Sequence, residues 1–255
     1  MRKIFIAIFF FTIQFSFAQK TSSLSIKESL VYKDKVKAGE ILTIYTSKNN
    51  LTGIVRESKK DILFDVFDED LNKVHNQTIE SHKKEKYVGD LFYNNEIKVF
   101  TVFSPSKKER IVYCHIYNLE KNTHSKVKLF ETTVEKNASI FFGKSKRQTS
   151  FAVSPNNKHL VITTDNIRKN SNSYTVRIFD ASNLKLKFQK KYQEHEENYF
   201  EPNDLIIDND ATTFVLGKLF FKGKKQKKKG KANYQFVLNR VTEKDVKKAI
   251  INLSE

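Results

Sequence analysis

Four short apolar segments, DILFDVF from Asp61, IVYCHIYN from Ile111, YTVRIFD from Tyr174 and YQFVLNRV from Tyr234, align so that Asp65, His115, Arg177 and Asn239 share one position. Their neighbours on the same strand face are Leu63 and Phe67, Tyr113 and Tyr117, Thr175 and Phe179, and Val237 and Val241. A polar group between mostly apolar ones must be hydrogen-bonded or wet. A carboxylate, an imidazole, a guanidinium and an amide that converged from successive repeats could bind an anionic or sugar-like ligand. The first three could also form the centre of a hydrolase or lyase acting on glycan or peptide. The structural alternative is pairing between neighbouring repeats, with Asp65 and His115 as the first pair to consider.

No other chemistry stands out. His75, His82, His124, His159 and His195 fall on turns or outward strand positions, with no spacing that brings two onto one face, so no zinc site is expected. No G-x-S-x-G elbow marks a nucleophile. Glu194, Glu196, Glu197, Glu201, Asp204, Asp208 and Asp210 form an acidic stretch without the glycine and terminal glutamate of a calcium loop. The sequence calls for no cofactor and no metal. It favours a non-enzymatic role over an enzymatic one.

One run does suggest a contact surface. Lys222, Lys224, Lys225, Lys227, Lys228, Lys229 and Lys231, interspersed with Gly223, Gln226 and Gly230, form a basic loop suited to an acidic polymer or membrane headgroups. No aromatic residue interrupts the lysines, so base stacking and specific nucleic-acid binding are not indicated. The formal net charge of +17 points the same way, toward anionic partners, although lysines spread over loops also read as a solvated surface.

The first 18 residues run from Arg2 and Lys3 through an apolar stretch to Ser16-Phe17-Ala18, the pattern of a signal peptide cleaved between Ala18 and Gln19. The apolar part is too short to cross a bilayer, so the mature form is expected to be exported, periplasmic or secreted, with no transmembrane span. Cys114 is the one cysteine and lies in a strand run beside Val112 and Ile116, which suits a buried, inert thiol. With no disulfide within the chain, 22 Phe and 10 Tyr must supply the core.

These residues sit on an all-β framework. Apolar residues alternate at period two or occur in short runs bounded by Asn, Asp, Ser and Lys. Turn residues at Asn49-Asn50, Asn94-Asn95, Asn156-Asn157 and Asp208-Asn209-Asp210 each lie between two such runs, and each is followed by a second hairpin. After a polar leader, residues 19–39, with an apolar patch at Leu30 to Tyr32 able to pair with a later strand and close the array, residues 40–255 divide into four repeats. These span about 40–80, 86–131, 149–193 and 200–254. Residues 132–148 between the second and third read as a long connection or an added edge strand through Ile140 to Phe142.

The third repeat, FAVSPNNKHLVITTDN followed by YTVRIFDASNLKLKF, resembles a blade of WD40-type or YVTN-type β-propellers. The chain has no Trp and lacks the Gly-His and Trp-Asp pairs of the eukaryotic form. The resemblance implies an array of about four four-stranded antiparallel blades: a small closed ring, an open arc completed by a partner, or part of a longer propeller sensor. A terminal repeat without a neighbour invites self-association. The expectation is an exported propeller-like scaffold at a bacterial cell envelope, binding a protein or acidic envelope component through its loop faces.

Overall fold

The computed structural model describes residues 38–58, 60–83, 85–106, 108–134, 149–167, 172–193, 199–220 and 234–251, with Ile26, Glu28 and residues 30–33 of the leader. The apolar alternation yields sixteen strands among the described residues, grouped in four antiparallel meanders. The first sheet contains β1 (Ala38–Thr46), β2 (Thr52–Ser58), β3 (Asp61–Phe67) and β4 (Lys73–Glu80). The second contains β5 (Lys86–Tyr93), β6 (Glu96–Phe103), β7 (Glu109–Asn118) and β8 (Thr123–Thr133). The third contains β9 (Thr149–Val153), β10 (His159–Ile167), β11 (Asn172–Asp180) and β12 (Leu186–Gln193). The fourth contains β13 (Tyr199–Ile207), β14 (Thr213–Phe220), β15 (Tyr234–Val241) and β16 (Val246–Ile251).

The sheets stack in chain order as an unclosed, propeller-like array. Each seam has its own apolar core: Val55, Phe64 and Val66 meet Ile97, Val99 and Tyr117 between the first and second sheets. Phe100, Val112 and Cys114 meet Leu160, Ile162 and Phe179 between the second and third. Val161, Val176 and Ile178 meet Val215, Val237 and Val241 between the third and fourth. Cys114 is fully buried in the second seam, and burial pushes its thiol up out of the reactive range. The first strands β1, β5, β9 and β13 contact one another in succession along one side, and β4, β8, β12 and β16 form the opposite, more exposed edges.

Polar ties accompany the apolar seams. Asp90 on β5 accepts hydrogen bonds from Thr43 (2.8 Å) and Tyr45 (2.8 Å) across the first seam, and from Tyr87 within its own strand. Burial, with Asp90 adding to it, pushes the Tyr45 phenol up to about 12, so it stays a donor. The buried Lys98 ammonium reaches from β6 to the carbonyl oxygens of Ala181 (2.9 Å) and Ser182 (2.7 Å) in the third sheet. In the last seam the Asn156 amide donates to Asn209 Oδ1 at 3.0 Å.

The asparagine turns form as the sequence implies: Asn50, Asn94, Asn95, Asn122 and Asn157 have positive φ. Leu71, Leu184 and Ala211 do as well, and here the carboxylate at the start of the turn overrides the side chain's preference. Asp68 Oδ1 accepts from the amides of Asp70 and Asn72, Asp180 Oδ1 from Ser182 and Asn183, and Asp208 Oδ1 from Asp210 and Thr212. The leader patch at residues 30–33 adds no strand. Tyr32 instead packs edge-on against Phe67 at 5.9 Å and accepts a hydrogen bond from the Lys73 amide, because an isolated apolar triplet gains more from ring contacts than from a short unsupported strand. Residues 135–148, including Ile140 to Phe142, lie outside the described residues.

Close approach between sheets explains one glycine. A Cβ on Gly89 would lie 2.1 Å from the Phe151 ring across the second seam. Gly89→Ala is expected to destabilise the fold by about 1–3 kcal/mol through overpacking. Chemical denaturation should then show a lower midpoint with an unchanged slope.

Candidate functional site

The four aligned polar residues occupy one structural position. Asp65, His115, Arg177 and Asn239 are each on the third strand of a sheet, opposite Ile54, Val99, Ile162 and Val215 of the second strand. All four are buried. His115, Arg177 and Asn239 lie on the face directed toward the preceding sheet: Tyr117 shares a face with His115 and packs in the first seam, Phe179 with Arg177 in the second, and Val237 with Asn239 in the third. Asp65 has the equivalent orientation on the first sheet, away from Phe64 and Val66 of the first seam, so the four groups do not converge on a common cleft.

Asp65 and His115 are not paired. Asp65 is held within its own sheet, by Arg56 on β2, by Lys73 Nζ on β4 at 3.2 Å and by Asn76 Nδ2 at 2.6 Å. The pairing expected between repeats fails because Asp65 lies on the face of β3 opposite to Phe64 and Val66, which build the first seam, whereas His115 lies with Tyr117 on the side of β7 that faces it. Arg177 lies with its guanidinium over the Phe130 ring at 4.2 Å and 3.5 Å from Thr164 Oγ1, and burial lowers its pKa to about 10. Asn239 is fully buried, and neither amide atom has a hydrogen-bond partner among the described residues.

His115 anchors the densest polar cluster. Its Nε2 lies 2.8 Å from Glu85 Oε1, and its Nδ1 lies 3.1 Å from His124 Nε2 on the neighbouring strand β8. Thr101 also donates to Glu85 Oε1, and Lys126 Nζ donates to Oε2 at 2.9 Å while lying 4.1 Å from the Tyr113 ring centre. Two histidines thus share a face after all. They are nine residues apart, and the β7–β8 hairpin brings them together diagonally, with Tyr117 opposite His124 and His115 opposite Lys126. Only the hairpin register reveals this; a search for short helical or strand spacings misses it. The contacts form a line from carboxylate to imidazole to imidazole, a proton-sharing arrangement more than a converging ligand set. A small cavity of about 30 Å³, walled by Leu42, Ser58 and Ile62 of the first sheet and by Glu85, Tyr87 and Thr101, adjoins its carboxylate end.

A larger open cleft of about 630 Å³ lies between the third and fourth sheets, lined in part by Lys187, Phe188, Asp210, Arg240, Glu243 and Asp245. Its charges pair locally: Asp245 lies 3.7 Å from Arg240 and 3.5 Å from Lys247. The basic loop from Lys222 to Lys231 and the Ala18-Gln19 junction lie outside the described residues.

No family model and no curated protein matches the chain. Solved structures similar to it are β-propellers. The Dos1 propeller is 10% identical with a TM-score of 0.39, covering 82% of this chain and 56% of its own. The Nup133 β-propeller domain of Vanderwaltozyma polyspora is 9% identical with a TM-score of 0.39, covering 76% and 57%. The propeller domain of the Trilobed protease from Pyrococcus furiosus is 11% identical with a TM-score of 0.40, covering 84% and 58%. The chain thus spans little more than half the length of each of these, and the likeness concerns the fold alone.

Two outcomes follow from the buried groups. Burial first, then the charges of His115 and Lys126, lower His124 to about 4 from its ordinary 6.5. The unfolded chain therefore binds the extra proton between those values, and stability should decline as pH falls through that window. Burial alone pushes the Glu85 carboxyl up, but hydrogen bonds from His115, Thr101 and Lys126 outweigh it and hold the group well below the carboxylate range. Its contribution is complete above the unfolded value of 4.5 and is lost at more acid pH. Thermal melts from pH 7 to pH 4 should show a falling midpoint, and His124→Gln should flatten that slope. Asn239→Leu, which removes two unpartnered polar atoms at similar volume, should raise stability by about 1–2 kcal/mol in denaturant titration.

Proposed function

We propose that the chain is an exported, non-enzymatic interaction scaffold of propeller type. In this reading it works at a bacterial cell envelope and presents loop faces, the Lys222 to Lys231 loop foremost, to a protein or an acidic envelope component. The observation that carries this reading is the separation of the aligned polar groups: Asp65, His115, Arg177 and Asn239 are buried on four different sheets, each in surroundings of its own. A hydrolase or lyase centred on Asp65, His115 and Arg177 needs at least two of them in one cleft, so the catalytic alternative loses the residues on which it was built. The signal-peptide pattern ending at Ala18, the WD40-like letters of the third repeat and the net charge of +17 support the rest. The short span relative to the similar structures is compatible with service as part of a larger propeller assembly.

The test is co-sedimentation of the full chain with vesicles containing an anionic phospholipid and with zwitterionic controls. Binding to the anionic vesicles should be strong at low salt and should fall steeply as salt rises. Changing the seven loop lysines to Gln should weaken it by at least roughly tenfold. Undiminished binding by that variant would remove the loop from the contact surface.

A further inference from the structure

Of the four aligned polar residues, Arg177 alone carries a charge that the described residues leave without a counter-charge. Asp65 has Arg56 and Lys73, and His115 has Glu85. Two further buried cations are also provided for: Lys98 Nζ donates to the carbonyl oxygens of Ala181 and Ser182, and Arg110 Nη1 to those of Ser106 and Glu109. Arg177 is 8% exposed, with the Phe130 ring 4.2 Å from its guanidinium carbon and Thr164 Oγ1 3.5 Å from Nη1. A ring face and one long contact to a hydroxyl leave most of its in-plane N–H donors unused. Burying a cation in this way is costly unless an anion completes it.

Hydroxyl donors lie beside the guanidinium. By register Arg177 is opposite Ile162 on β10 and Gln189 on β12. The next row on the same face runs through Thr149 on β9, Thr164 on β10, Thr175 on β11 and Lys191 on β12, each directly opposite its neighbour. Thr149 and Thr164 are buried, Thr175 is half-buried and Lys191 is exposed, so the row leads from the second seam out to solvent at the edge of the sheet. Alternation on β7 sets Arg110 on the face that carries Val112 and Cys114, in the same seam. Its charge adds to that of Arg177, and no carboxylate among the described residues pairs with Arg177. Thr164 accepts from Arg177, which leaves its own hydroxyl proton for a further acceptor.

We propose that Arg177, Thr164 and Thr175 form an oxyanion site that takes a phosphate group, reached from the β12 edge past Lys191. The planar guanidinium matches two phosphate oxygens, the Phe130 ring holds it flat, and the hydroxyls and Lys191 supply the remaining donors. A phosphate has acceptor oxygens for all of these, whereas a carboxylate has only two. A guanidinium this deep between two sheets suits inorganic phosphate or a small phosphorylated ligand, and not a headgroup fixed in a bilayer. The site stands apart from the loop-binding reading, since none of its residues belongs to the Lys222 to Lys231 loop.

The experiment is calorimetric titration and thermal melting of the full chain with inorganic phosphate at constant ionic strength, with chloride and acetate as comparison anions. Phosphate should give a saturable heat and raise the wild-type melting midpoint, and neither comparison anion should do so. Arg177→Lys keeps the charge but loses the planar fork, and Thr164→Val keeps the charge and nearly the volume. Each should weaken phosphate binding by roughly tenfold or more, with the fold checked by circular dichroism. Neither change alters the net charge, so phosphate gathered diffusely by surface lysines would be unaffected by them. Binding that both variants retain would therefore overturn the proposal. So would a wild type that does not respond to phosphate, or one that responds as strongly to acetate. Both variants keep the loop lysines and should still sediment with anionic vesicles, which separates failure here from failure of the scaffold reading. Loss of vesicle binding in Arg177→Lys would instead move Arg177 into the membrane-contact surface and end the case for a separate site.

Discussion

A four-stranded meander with apolar side chains on both faces cannot persist alone in water, because either face left open costs the burial that offsets chain entropy. Each sheet of this chain has that character, and the molecule is the serial answer to it. Phe64 and Val66 look one way from β3 while Leu63 and Asp65 look the other, and the same division recurs on β7, β11 and β15. Stacking follows from this alternation. So does the lack of a single central core: there are three, each shared by consecutive sheets and each supplemented by a polar tie such as Asp90 to Tyr45 or Lys98 to the carbonyls of Ala181 and Ser182.

The constraint also explains the aligned polar residues. The position is buried in every repeat whichever side chain it carries, and its chemistry varies from repeat to repeat. Asp65 has two cations and an amide, His115 a carboxylate and a second imidazole, Arg177 an aromatic ring, and Asn239 no hydrogen-bond partner among the described residues. Four different solutions at one position indicate local accommodation of a polar group. A shared ligand would demand complementary geometry across the four sheets.

The strand pattern was legible because period two in the sequence is period two in space. DILFDVF, IVYCHIYN, YTVRIFD and YQFVLNRV fall within β3, β7, β11 and β15, and their alignment survives as a common cross-strand register. What the linear order concealed was diagonal contact. The meeting of His115 and His124 depends on the length of the one hairpin turn between them, which sets Tyr117 opposite His124 and His115 opposite Lys126 and has no compositional mark. Leu71 and Leu184 in left-handed conformation were hidden for a related reason: the side chain that permits them is the aspartate three or four residues earlier.

The three separate cores have a consequence for how the molecule comes into being. Every strand pairs with its sequence neighbour, and every sheet packs on the one made just before it, so no long stretch of chain must wait for a distant partner before it can be buried. Contacts that close in order of synthesis keep the loop entropy of each step small. The growing polypeptide can therefore fold as it emerges, each finished sheet acting as the template on which the next one settles, and every added sheet covers one apolar face as it brings another.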